Sequence, residues 1–138
     1  MGTWGAGFFD DDTSMDFLDE YIDMADPREA MEAAFEAALA ADYIDFDLGH
    51  RVLVGGVLIR SAITGEGQCG LANTGSSAED WIEAAKALDF SHLRATAAKA
   101  CSRIGEEESE LFELWNQDPD MGAPWNAQVE ELAGWLGR

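Results

Sequence analysis

A chain of 138 residues and 15.0 kDa is long enough for one domain with its own core, without metal or disulfide staples. Apolar residues make up 47% of it, with five Trp and seven Phe, which excludes a disordered chain. A net charge of −20 excludes charge-driven binding to nucleic acid or anionic membrane, since both need Lys and Arg against phosphate.

The charge is unevenly spread. Residues 1–47 carry −13, residues 48–105 carry +1 and residues 106–138 carry −8. Two acidic flanks thus enclose a near-neutral middle, which favours solubility and permits a basic partner. The N-terminus shows no basic stretch and no apolar leader, and Ala6 stands where a myristoylation signal needs Ser or Thr. The longest apolar run, 52–59, is too short to span a bilayer. A cytoplasmic location is the expectation, with Cys69 and Cys101 as free thiols.

Residues 1–12 read as a Gly and aromatic anchor: Gly2, Trp4, Gly5, Gly7, Phe8 and Phe9, then Asp10, Asp11 and Asp12. The glycines allow tight turns, and Trp4 and Phe9 are expected to plug a bundle. A first helix is predicted from Ser14 to Met24, capped by Asp12 or Thr13, with Met15, Leu18, Ile22 and Ala25 inward and Tyr21 beside them. Asp26, Pro27 and Glu29 form a helix start, as N-cap, first and third positions. The second helix then runs to about Ala41 on a stripe of Met31, Ala34, Phe35, Ala38 and Leu39. Residues 42–48 read as a turn.

The segment 51–63 is ambiguous. Its β-branched run suits a buried strand or a buried helix alike. Helix is chosen because a lone strand has no partner here. Gly55 and Gly56 then cost about 1 kcal/mol each mid-helix, and let another helix approach closely. Residues 64–77, with four glycines, read as a flexible loop, a length usually tied to function or disorder. Ser76 and Glu79 make a capping box for a helix over 78–88, with Trp81, Ile82 and Ala85 inward. A further helix over 91–104 buries Phe90, Leu93, Ala97, Cys101 and Ile104 and stops at Gly105. A short helix over 107–116 starts in the Glu106–Glu108 run and carries Leu111, Leu114 and Trp115. The last helix begins near Pro124 with Trp125, Val129, Leu132 and Leu136. The sum is an all-α, single-domain bundle of six to seven helices over residues 1–138.

The opening motif Gly2, Trp4, Gly5, Gly7, Phe9, Asp10, Asp11, Asp12, the run Glu110–Trp115 and the closing pattern from Trp125 resemble a mainly bacterial family, domain of unknown function 4259. The resemblance covers nearly the whole chain. It implies a helical fold and no established chemistry. In the family motif, Gly2, Trp4, Gly5, Gly7, Phe9, Asp10 and Asp12 are expected to be structural.

Chemical motifs are few. Gly5-Ala6-Gly7 lacks the third glycine and the preceding strand of a dinucleotide fingerprint. Asp10, Asp12, Ser14 and Asp16 have the alternating rhythm of a calcium loop, but Met15 and Tyr21 stand where it needs Gly and Glu. Weak cation binding at Asp10, Asp12 and Asp16, or in the acidic turn Asp42, Asp45, Asp47, is the most they suggest. His50 and His92 have no partner at zinc-site spacing and read as surface or boundary residues. Cys101 lies on an apolar stripe; Cys69, in the loop, is the one candidate reactive thiol. No catalytic residue and no cofactor is assigned.

Three functions are weighed. The first is a non-enzymatic interaction module, whose acidic face Asp16, Asp19, Glu20, Asp23 meets a basic protein, as immunity proteins neutralise toxins. The second is a small-molecule binder or enzyme with a pocket between helices under the 64–77 loop. The third is a structural homo-oligomer. The first is favoured; oligomeric state is not legible.

Overall fold

The computed structural model describes residues 8, 12–69, 71 and 77–138. The anchor-motif residues Gly2, Trp4, Gly5, Gly7, Phe9, Asp10 and Asp11 lie outside that set, as do Ser76 and most of the second half of the loop. Seven α-helices form an all-α bundle: α1 (Asp12–Asp23), α2 (Arg28–Ala40), α3 (Phe46–Thr64), α4 (Ala78–Ala85), α5 (Arg94–Ile104), α6 (Glu110–Trp115) and α7 (Pro119–Leu136). Among the described residues there is no strand, and a single isolated bridge joins Ile44 to Ser109.

The ambiguous segment is the central helix. α3 is buried from Gly49 to Ala62 apart from its two arginines, and the other six helices pack around it. A helix apolar all round belongs in the middle of a bundle. Its ends explain why it is not a strand. Asp45 caps the start, accepting from Leu48 N at 2.8 Å, and Gly65 ends it at φ 80°, donating to Ser61 O. The glycine pair serves two faces. A Cβ on Gly55 would meet the Phe35 ring at 3.3 Å and the Tyr21 hydroxyl at 3.6 Å; one on Gly56 would meet Cys101 Sγ at 2.7 Å and Leu132 and Leu136 at 3.4 Å. Gly55 thus admits α1 and α2, and Gly56 admits α5 and α7.

Several local expectations are corrected. α3 begins five residues before 51, so 46–48 is helix rather than turn and His50 is buried rather than peripheral. The inward face of α1 is Ser14, Phe17, Leu18 and Tyr21, with Met15 and Ile22 only half-buried and Ala25 exposed, because Ser14 and Tyr21 carry polar tips that bond to α3. Leu39 and Leu114 are each 43% exposed, outside the core stripes expected of them. Ser77, not Ser76, stands at the cap position of α4 and makes no side-chain cap bond, and α4 ends at Ala85. The helix expected over 91–104 opens with a 3-10 turn, Ser91–Leu93. Glu106–Glu108 is not a helical first turn. Ile44 N donates to Glu108 O and Glu110 N donates to Ile44 O, which commits that backbone to the bridge, and Ser109 caps α6 instead. α7 starts at Asp118 and Pro119 rather than Pro124. Pro at the first position loses no helical bond, whereas Pro124 sits inside and forfeits one.

Candidate functional site

Two surface features arise from this packing. The first is acidic. Along α1, Asp12, Asp16, Asp19, Glu20 and Asp23 are all exposed, and their spacing of three and four residues places them on one face opposite the buried stripe. Glu29, Glu32 and Glu36 do the same on α2. The proposed interaction residues Asp16, Asp19, Glu20 and Asp23 therefore do share a face.

What makes this face strongly negative is where the cations are. Of eight Lys and Arg residues, six are engaged within the fold. Arg28 chelates Asp26 and reaches Asp89 O. Arg51 lies 3.7 Å from Glu20 and over the Phe17 ring. Arg60 pairs with Glu131 against Trp135, and Lys86 pairs with Glu83. Arg94 donates to the carbonyls of Trp135 and Leu136, closing the end of α7. Arg103 donates to carbonyls of Ala41, Asp42, Glu107 and Glu108, tying the link after α2 to the link before α6. Cations that cap helix ends and staple links satisfy orphan carbonyls, and among the described residues the one ion pair to an α1 acid is that of Arg51 with Glu20.

The second feature is an apolar pocket of about 360 Å³ lined by Phe46, His50, Leu111, Leu114, Trp115, Gln117, Asp118 and Met121. Its walls are held from behind. His50 Nδ1 is hydrogen-bonded to Ser14 Oγ at 2.8 Å, both groups being buried, and the His50 ring meets Phe46 edge-on at 4.5 Å. Phe46 N donates to Glu110 Oε1, which ties α6 to the start of α3. Trp115 stacks on Trp125 at 6.3 Å. Asn116 and Asn126 exchange amide hydrogen bonds at 3.1 and 2.8 Å, and Gly122 lies so close that a Cβ there would be 2.7 Å from Asn116 Oδ1. No sequence signal marked this site: a lone histidine and two aromatics become a pocket only when α3, α6 and α7 converge.

The other expected features separate. Ser14, third in the calcium-like rhythm, turns inward to His50, while Asp12 and Asp16 stand on a regular helix and Asp10 lies outside the described residues. A calcium loop wraps its ligands around the ion, and a helix cannot. Among the described residues no group of three or more His, Cys, Asp and Glu is placed to hold a metal ion. The acidic turn Asp42, Asp45, Asp47 is broken up, with Asp45 used as a cap. His92 is exposed in the 3-10 turn. Cys101 is fully buried in the core. Cys69 is not an activated thiol: burial pushes it up to about 11, with nearby Arg60 opposing and Glu131 adding to the rise. Beside it lies a hollow of about 300 Å³ lined by Arg60, Gln68, Cys69, Ala127, Gln128 and Glu131.

These features define a class, a small all-α bundle with an acidic exterior, in which no helix of the described residues is long and apolar enough to cross a membrane. The chain belongs to the family described as a domain of unknown function (DUF4259), whose model matches residues 2–128. Neither the curated proteins nor the solved structures contain a match.

Proposed function

We propose that this chain is a non-enzymatic, cytoplasmic interaction module that binds a basic protein through its acidic faces, in the manner of proteins that neutralise a basic toxin. The observation that supports it is the disposition of charge: six of the eight cations are engaged by groups of the chain itself, while Asp12, Asp16, Asp19 and Asp23 face solvent together. Unneutralised carboxylates on a rigid helix steer a cationic partner and fix its register, and salt weakens the effect. The test is capture from native lysate on immobilised protein at low salt, followed by a salt gradient. One basic protein eluting sharply, and lost from the variant Asp16→Asn, Asp19→Asn, Glu20→Gln, Asp23→Asn, supports the reading. A smear of basic proteins indifferent to that variant defeats it.

A second reading, a small-molecule binder, draws on the 300 Å³ hollow at Arg60, Gln68 and Cys69, which adjoins the loop singled out in the sequence. Its lining pairs the Arg60 guanidinium with the Glu131 carboxylate, so a small anion binds there by displacing that carboxylate. Thermal-shift screening with carboxylates and phosphates checks it; no shift with any of them removes it.

A further inference from the structure

We infer that the pocket between α3, α6 and α7 is the anchor site of the basic partner, receiving one large apolar side chain flanked by lysines or arginines. This rests on the interaction-module reading and adds the site and the chemistry of its specificity. Three observations carry it. The pocket's floor and walls are Phe46, Leu111, Leu114, Trp115 and Met121, and its 360 Å³ accommodates a tryptophan or leucine side chain. Leu114 is left 43% exposed and Trp115 and Phe46 half-buried, so the core formed by the described residues does not use this surface up.

The segments around the pocket are rich in acids, and the cation that reaches them, Arg103 of α5, is spent on the carbonyls of Ala41, Asp42, Glu107 and Glu108. The two segments that build the pocket, 42–50 and 106–121, contain Asp42, Asp45, Asp47, Glu106, Glu107, Glu108, Glu110, Glu113, Asp118 and Asp120, and neither contains Lys or Arg. Asp118 itself lines the pocket. An apolar centre built from segments rich in carboxylates is the surface that an apolar residue within a cationic segment complements. A second copy of this chain, at −20, would bring like charge to those carboxylates. The walls are also braced by the Ser14–His50 and Asn116–Asn126 hydrogen bonds, which lowers the ordering required on binding.

The test uses the full chain and two fluorescein-labelled peptides, six lysines around a central tryptophan or a central alanine, followed by anisotropy at 0.02 and 0.15 M NaCl. The tryptophan peptide should bind about tenfold tighter or more, the effect of burying one large side chain. Leu114→Gln and Met121→Gln, checked for folding by circular dichroism, should each erode that ratio. Leu39→Gln, an equally exposed leucine on α2, should leave it intact. Equal, salt-sensitive binding of both peptides would overturn the anchor site while sparing the charge reading. Binding of neither at low salt would remove the charge reading itself, and the anchor with it. Self-association that Leu114→Gln abolishes would make a second copy the occupant and overturn the proposal.

Discussion

Cys69 and Gly56 show how much a single residue's role depends on its neighbours. In the sequence Cys69 sits between Gln68 and Gly70 in a glycine-rich stretch and resembles an accessible thiol. In the fold it is half-buried, and burial raises it from 9.0 to about 11. Its thiolate fraction at pH 8 is then lower by roughly two orders of magnitude than that of an ordinary cysteine. Native protein should react with Ellman's reagent far more slowly than free cysteine and speed up as pH climbs toward 11, while Cys101 reacts only on unfolding. Gly56 is the opposite case, since the close approach expected of the glycine pair is present. Gly56→Ala drives a methyl to within 2.7 Å of Cys101 Sγ, and should cost about 1–3 kcal/mol by urea unfolding. Gly134→Ala, on the same scale, meets nothing within 4 Å and should stabilise by up to about 1 kcal/mol from helix propensity. Equal effects from the two alanines would contradict the packing described.

Helices whose cap and stripe agree were legible; those whose ends are set by contacts distant in sequence were not. For α2 the Asp26-Pro27 start is found within a residue, with Pro27 at the cap position and Asp26 Oδ1 accepting from Arg28 N at 3.1 Å. The Arg28 side chain, and then its backbone N–H, holds the Asp26 carboxyl down to about 2 from 3.8. A depressed folded value means that the contribution is complete above 3.8 and disappears as pH falls toward 2. The stability difference between wild type and Asp26→Asn, followed by thermal melts, should therefore be constant from neutral pH down to about 4 and close below it. A gap that widened on acidification would reverse the assignment. The start of α6, by contrast, depends on Ile44 pairing with Glu108 and Glu110. A contact across more than sixty residues leaves no periodicity, so Glu106–Glu108 could only be read as a first turn.

For the molecule as a whole, charge is the dominant quantity. With 28 acids against eight Lys and Arg, the excess carboxylates repel one another across the surface. Raising NaCl from 0.02 to 0.5 M should raise the melting midpoint by a few degrees, because screening acts within about a Debye length, roughly 10 Å at 0.1 M. A fall would mean that the surface ion pairs such as Arg28–Asp26 and Lys86–Glu83 outweigh the repulsion.

Composition and periodicity by themselves pointed to the all-α class, a count of six to seven helices, most of the core and the acidic stripe of α1. Each of these is written in local spacing, which one helix face or one count of charges suffices to express. Only the tertiary structure decided that 51–63 is the central helix, that His50 and Ser14 face each other, that six cations are engaged by carboxylates, carbonyls or rings of the chain itself, and that Phe46, Leu114 and Trp115 border one pocket. Those outcomes depend on which distant segments share a space, and burial and pairing energies there are fixed by partners that lie tens of residues away along the chain.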